Sequence, residues 1–296
     1  MSGIGNLTTT GPGDVVMGRH CSIGDGVTVI FLRSGTLRLG DYVSLGNDVR
    51  LIIDGGDVDI GDWTTLHRDC LVMSTNGVLI GAHCWFGQNS VIDGTGGLSI
   101  GDGVRVGMYS QIWTHVAAGE QIEGCVLFGA TPTVIENDVW LVGTCTVGSG
   151  VTIGERTVAL AGSNVTKSCP PHSTLAGSPA KVKEGLSFYR SISLSEKFDM
   201  LENWLVEIVG DATIARSEGL ITVANAEGDR ILFYARAGDF HAAKDRQSQG
   251  TALCCVETKD HVKAYTELEM RILKALAGNK ARFYDRSRGS PATAAP

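Results

Sequence analysis

Ile23-Gly24-Asp25-Gly26-Val27-Thr28, Leu39-Gly40-Asp41-Tyr42-Val43-Ser44 and Ile60-Gly61-Asp62-Trp63-Thr64-Thr65 share one pattern. An aliphatic residue opens each hexapeptide, a small or polar residue follows, and the fifth slot is small or β-branched. The beat returns at Ile80-Gly81, Ile100-Gly101, Ile135-Glu136, Val147-Gly148 and Ile153-Gly154. A six-residue period predicts a parallel β-helix, in which each hexapeptide is a short strand with its turn and three make a triangular coil. One coil cannot bury its own apolar face, so stability comes from stacking neighbours.

Ile60, Ile80 and Ile100 lie twenty residues apart, which is three hexapeptides and about two more residues. The extra residues should bulge at a corner, at Asp54-Gly55-Gly56, Ser74-Thr75-Asn76-Gly77 and Gly94-Thr95-Gly96-Gly97. Glycine supplies the left-handed backbone that such corners need. Of the 39 glycines, 31 fall in residues 1–182, so the remainder of the chain is a different kind of structure.

The beat predicts coils over about 17–168, with one break between Val116 and Thr133. That segment should leave the coil as a loop, and long loops on a regular scaffold tend to carry function. Cys169-Pro170-Pro171 should end the coil, because proline cannot extend a hydrogen-bonded strand. Residues 172–184 then cap it, giving a first domain over 1–184 and a small α+β domain over 185–296. Within the latter, Ser193 to Val209 reads as an amphipathic helix with a Ser193/Glu196 capping box. Strand-like runs follow at Leu220–Ala224, Ile231–Arg236 and Thr251–Val256. A second helix is predicted from about His261 to Ala277, capped by Asp260 and burying Val262 and Tyr265. The tail from Ser287 to Pro296 has the composition of a disordered segment.

The 43% hydrophobic content suits a globular protein, and the net charge of −7 gives no electrostatic reason to bind nucleic acid or anionic lipid. No apolar run is long enough to span a membrane, and the first residues lack the features of a leader peptide. Cys21, Cys70, Cys84 and Cys145 occupy the fifth, inward slot of their hexapeptides and read as small core residues. No CxxC occurs, which argues against a metal, and together with the missing leader these slots predict a reducing, cytoplasmic setting. His20, His83 and His115 read as fourth-slot turn residues. His115 stands apart, because it ends the regular coil at the root of the long loop, where a rigidly held base could serve catalysis.

The stretch Ile135-Glu136-Asn137-Asp138-Val139-Trp140-Leu141-Val142-Gly143 resembles a recurrent segment of the hexapeptide-repeat acyltransferases. Gly150-Val151-Thr152-Ile153-Gly154, Ala161-Gly162-Ser163-Asn164-Val165-Thr166-Lys167 and Pro170-Pro171-His172-Ser173-Thr174-Leu175-Ala176-Gly177-Ser178-Pro179-Ala180-Lys181 resemble that family's closing coils. The likeness covers about 17–184 and is nearest to the xenobiotic, maltose, galactoside and nodulation acetyltransferases. It implies a left-handed β-helix, a homotrimer, and transfer of acetyl from acetyl-CoA to a saccharide hydroxyl, or to a nucleotide-linked amino sugar. It also implies His115 as the base and Asn89 and Asp93 as acceptor contacts, with CoA held near Gly143, Ala161, Thr166 and Lys167. Val142 and Leu160 depart from the family's glycines. Two other classes compete: a γ-carbonic-anhydrase-like metalloenzyme using His67, His83 and His115, and a non-catalytic trimeric scaffold.

Overall fold

The computed structural model describes residues 7–286. The chain divides into two compact units between Tyr189 and Arg190.

In the first unit, three parallel sheets wind as the β-helix that the hexapeptides predict, left-handed as the family resemblance implies. The first sheet runs from Thr8–Thr10 to Asn164–Val165, the second from Asp14–Met17 to Thr152–Ile153, and the third from Ser22–Ile23 to Thr174–Ala176. Register is set by the aliphatic openers: Ile60, Ile80, Ile100, Ile135 and Ile153 pair strand to strand along the second sheet. In the first sheet Val29, Leu51, Val72, Ile92, Ile112, Val147 and Val165 form the matching inward column. These residues are buried in one continuous core. Gly55, Gly77 and Gly97 take positive φ of 98°, 97° and 93° at the bulged corners, where a side chain would be strained.

The coil is longer than the sequence pattern predicts at both ends. Thr8–Thr10 and Asp14–Met17 already belong to it. Beyond the two prolines, Thr174–Ala176 adds a further parallel strand beside Val158–Ala159, and Lys181–Val182 closes the third sheet antiparallel. Pro170 and Pro171 lie in the turn between strands, where no ladder donor is required.

The inward cysteines behave as read. Cys70, Cys84 and Cys145 are buried, and their thiols donate to turn carbonyls such as Gly87 O and Gly101 O. Burial pushes the Cys70 thiol up to about 11, which leaves it protonated and inert. Cys21, near the start of the coil, is only partly covered.

The second unit carries a five-stranded sheet in the order Thr213–Ser217, Leu220–Ala224, Arg230–Tyr234, Thr251–Cys255, His261–Val262. Helices α1 (Leu194–Ile208) and α3 (Glu267–Ala277) bury Phe198, Leu205, Ile272 and Leu276 with Ile221, Val223, Ile231 and Phe233 of the sheet. Helix α2 (Ala237–Lys244) contributes Phe240 to a smaller cluster with Leu253 and Cys255. The Ser193/Glu196 capping box is present. The second predicted helix starts late: His261–Val262 is a strand paired with Leu253–Cys254, and Thr266 with Glu269 forms the capping box. Tyr265 is exposed and Val262 half-buried, not core residues. The expectation for the tail from Ser287 falls outside the described residues. Among the described residues no helix is long and apolar enough to cross a membrane.

Candidate active site

Strand Gln111–Ile112 of the first sheet is followed by Trp113 and Thr114 at the corner leading to the second sheet. There the chain leaves the coil. His115–Ala117 pairs antiparallel with Phe128–Ala130, a short 3-10 turn at Gln121–Glu123 lies between them, and Thr133 rejoins the second sheet. The predicted loop is therefore a β-hairpin arm. His115 is its first strand residue, not a turn residue, and its register partner is Ala130. His20 and His83 do sit in left-handed turns, at a different corner, where they stack with Tyr42 and Trp63 in a four-ring ladder. His83 is thus not the counterpart of His115 one coil below.

Asp93 holds the histidine. Ile92 points inward, so by alternation Asp93 points outward from the first sheet, yet it is fully buried under the hairpin root. Its Oδ2 accepts from His115 Nδ1 at 2.8 Å, from Thr114 N at 2.8 Å and from Thr114 Oγ1 at 2.8 Å. Its Oδ1 accepts from Thr95 N and Thr95 Oγ1. Burial on its own raises the carboxyl pKa, but the donors of Thr95, Thr114 and His115 outweigh it and hold Asp93 below the ordinary carboxylate range. An ionised carboxylate only accepts, so Nδ1 of His115 carries a hydrogen, which in the neutral imidazole leaves the lone pair on Nε2. The imidazole side chain is 38% exposed, and the Trp113 ring meets it edge-on at 5.7 Å.

The root of the arm is braced from beneath. Gly96 N donates to Thr114 Oγ1, while Thr131 N and Ser149 Oγ donate to Thr114 O. A Cβ on Gly96 would come within 2.3 Å of Thr114 O and 2.6 Å of Thr131 N, so only glycine fits.

The expected acceptor contacts separate. Asp93 is fully buried, with five donors on its oxygens, and its side chain is the partner of His115. Asn89 is exposed in a left-handed turn with φ of 59°, at the corner before strand Val91–Gly94. It lies in the turn two residues before that strand, whereas Asp93 is the strand's third residue, buried under the hairpin root.

The expected CoA contacts also form two groups. Gly143 and Ala161 lie at Asn89's corner in successive coils, joined by a hydrogen bond from Gly162 N to Gly143 O. Ala161 is exposed, while Gly143 is buried. Thr166 and Lys167 are exposed at the arm's corner, following strand Asn164–Val165. Trp113 N donates to Val147 O and Gly148 N to Val165 O, which places Thr166 two coils along from Trp113, about 10 Å away.

Trp113, Thr95, Thr114 and Gly96 escape a sequence reading, because they act through a bulge one coil away. The Thr-x-Gly bulge beside an aspartate is their only local trace. The candidate metal histidines do not meet: His67 and His83 fall at two corners, and His115 at the third. A groove of about 550 Å³ lies not at His115 but in the second unit.

No family model matches the chain. It is 39% identical to nodulation protein L of Rhizobium meliloti (strain 1021) over 108 residues, covering 36% of this chain and 58% of that protein. It is 51% identical over 53 residues to a putative acetyltransferase of Staphylococcus aureus (strain COL), covering 18% of this chain and 27% of that protein. The matches thus reach less than two thirds of the length of either relative. Among solved structures, a maltose O-acetyltransferase from Clostridium difficile 630 matches at 21% identity and TM-score 0.35, covering 50% of this chain and 67% of that one. An N-acyltransferase from Bacillus cereus, in complex with dTDP-4-amino-4,6-dideoxyglucose and coenzyme A, matches at 16% identity and TM-score 0.38, covering 68% and 90%. The resemblance to hexapeptide-repeat acyltransferases read from the motifs thus recurs among the relatives.

Proposed function

We propose that the β-helical unit is an acetyl-CoA-dependent acyltransferase that acetylates a saccharide hydroxyl. The observation that carries this reading is the Asp93–His115 pair at 2.8 Å, one member buried and ionised, the other half-exposed at the root of a projecting arm. His115 Nε2 takes the hydroxyl proton as the oxygen bonds to the thioester carbonyl carbon. The tetrahedral adduct then collapses, the C–S bond breaks, and the proton passes from His115 to the departing thiolate. Asp93 stays ionised throughout and steadies the imidazolium. No covalent enzyme intermediate is required, since holding both substrates together supplies the proximity.

The residues present fit a long, extended co-substrate. Lys167 and Thr166 offer a cation and a hydroxyl on the His115 edge, and Ala161 an open corner across the first sheet. An exposed lysine contributes at most about 1 kcal/mol to such a phosphate contact. We further propose that the enzyme works as a homotrimer in a reducing, cytoplasmic compartment. The arm supports the first: Ile122 and Val126 are 88% and 95% exposed, an apolar tip suited to a neighbouring copy. Eight cysteines held as thiols, with no disulfide between them, support the second.

The direct test is release of CoA thiol from acetyl-CoA against a panel of saccharides, for the native protein and the His115→Ala variant. Acceptor-dependent release by the native protein, lost in the variant, is expected. No release with any acceptor, together with no calorimetric binding of CoA, would remove the reading. Hydroxylamine lability of the product distinguishes an ester from the amide that an amino sugar would give.

A further inference from the structure

The sheet of the second unit is covered unequally. One face is sealed by α1 and α3, whereas α2 spans only part of the other. Beside α2 a groove of about 550 Å³ opens over strands Leu220–Ala224, Arg230–Tyr234 and Thr251–Cys255, a size common for small-ligand sites. By strand alternation its floor is apolar: Leu220, Leu232 and Leu253 line it, opposite the face that carries Ile221, Ile231 and Phe233.

The rim is charged, and the charges are sorted by end. At one end lie Glu218, in the turn joining Ser217 to Leu220, and Asp239, in the first turn of α2. Asp239 Oδ2 lies 3.9 Å from where a Cβ on Gly219 would stand, so it faces the turn that carries Glu218. At the other end lie Arg230 and Arg246. Arg230 N donates to Gly250 O, and Arg246 precedes the same Gln247–Thr251 turn. Among the described residues none of these four side chains forms an ion pair. From Arg230 to Tyr234, strand geometry sets the ends about 13 Å apart. Tyr234 stands at the acidic end, where burial and then Asp239 push its phenol up, so it remains a neutral donor.

We propose that this groove binds a short zwitterionic peptide of three or four apolar residues, its free amine at Glu218 and Asp239 and its free carboxylate at Arg230 and Arg246. An extended chain of that length spans about 10–14 Å, which matches the separation of the rims. The apolar body covers the leucine floor, and Arg230 and Arg246 recognise the carboxylate by charge-assisted hydrogen bonds. This site is independent of the acyltransfer reading and needs no acyl-CoA.

The test is calorimetry on the full chain with Leu-Ala-Leu and Leu-Ala-Ala-Leu in free, N-acetylated and C-amidated forms. Saturable binding of a free form is expected, with each blocked end weakening it about tenfold or more. The Arg230→Ala/Arg246→Ala double variant should bind the free peptide as weakly as the native protein binds the amide. Asp239→Asn should reproduce the effect of acetylation, and circular dichroism melting of the variants should match the native protein. Equal binding of free and blocked peptides, or no saturable heat with any free form, would overturn the proposal.

Discussion

Five donors converge on the two oxygens of Asp93, and the proposed chemistry of His115 rests on that saturation. Replacing His115 by Ala should lower turnover about 10²–10⁴-fold, the usual worth of a general base. Folding should be little affected, since the ring is half-exposed. His83→Ala is the matched control, because it ends an aromatic stack at another corner and should leave turnover near native. Asp93→Asn removes the charge that fixes the imidazole tautomer and leaves donors of Thr95 and Thr114 facing an amide. Both kcat and stability should fall. The sign of the pH dependence follows from the depressed folded pKa. An unfolded aspartate titrates near about 3.9, so the charge of Asp93 stabilises the fold fully above that value and progressively less as pH falls through the lower folded value. The stability gap between native and Asp93→Asn proteins, read by urea unfolding, should therefore be largest near neutrality and shrink in acid. A gap independent of pH would contradict the ionised assignment. His115 is singled out in the sequence by its place beside the break in the beat, and the structure sets its ring against Asp93. The bond from Asp93 to His115 was not legible, because sequence spacing gives the coil of Asp93 and not Thr114 of the next coil, which bonds to it beside Thr95.

At the scale of elements, the hexapeptide beat determines what each strand does as long as the aliphatic openers keep their spacing. Where they stop, prediction weakened. The arm at 115–130 pairs its own two strands, and Val116 alternates with Ala117 too briefly to signal them. Strand Thr213–Ser217 is an edge with only Ile214 partly covered, and α2 buries only Phe240, so neither leaves a period to read. The late start of α3 was legible at Thr266 and Glu269, a capping box outcompeted in the reading by Asp260. Thr266→Ala should cost about 1 kcal/mol of stability in the second unit, measured by chemical unfolding. Gly96→Ala tests the brace beneath the arm. A methyl 2.3 Å from Thr114 O must displace the root, so turnover should drop sharply while the far-ultraviolet spectrum of the coil persists. Retained native turnover would show that the arm's root tolerates movement.

For the whole molecule, regular stacking makes the β-helix stable without explaining the exposed apolar tip of its arm. A chain with Ile122 and Val126 almost wholly in water, and Leu127 and Phe128 also exposed, carries a surface that monomers rarely leave uncovered. In the proposed trimer a neighbouring copy would cover it, and three-fold closure would satisfy every arm with no open end. This assembly was inferred from the family resemblance, since a hexapeptide period is the same for one coil stack or three. Sedimentation equilibrium of the native protein at micromolar concentration should therefore give three times the chain mass of 31.3 kDa. Val126→Glu paired with Ile122→Glu places charge where the interface would exclude water, and should shift the distribution toward monomer with the coil's spectrum intact. Turnover should fall with the trimer fraction if the arm completes a site on its neighbour, and persist if each chain works alone. A native protein that sediments as a monomer would defeat the assembly, leaving the Asp93–His115 pair to be tested as a single-chain site.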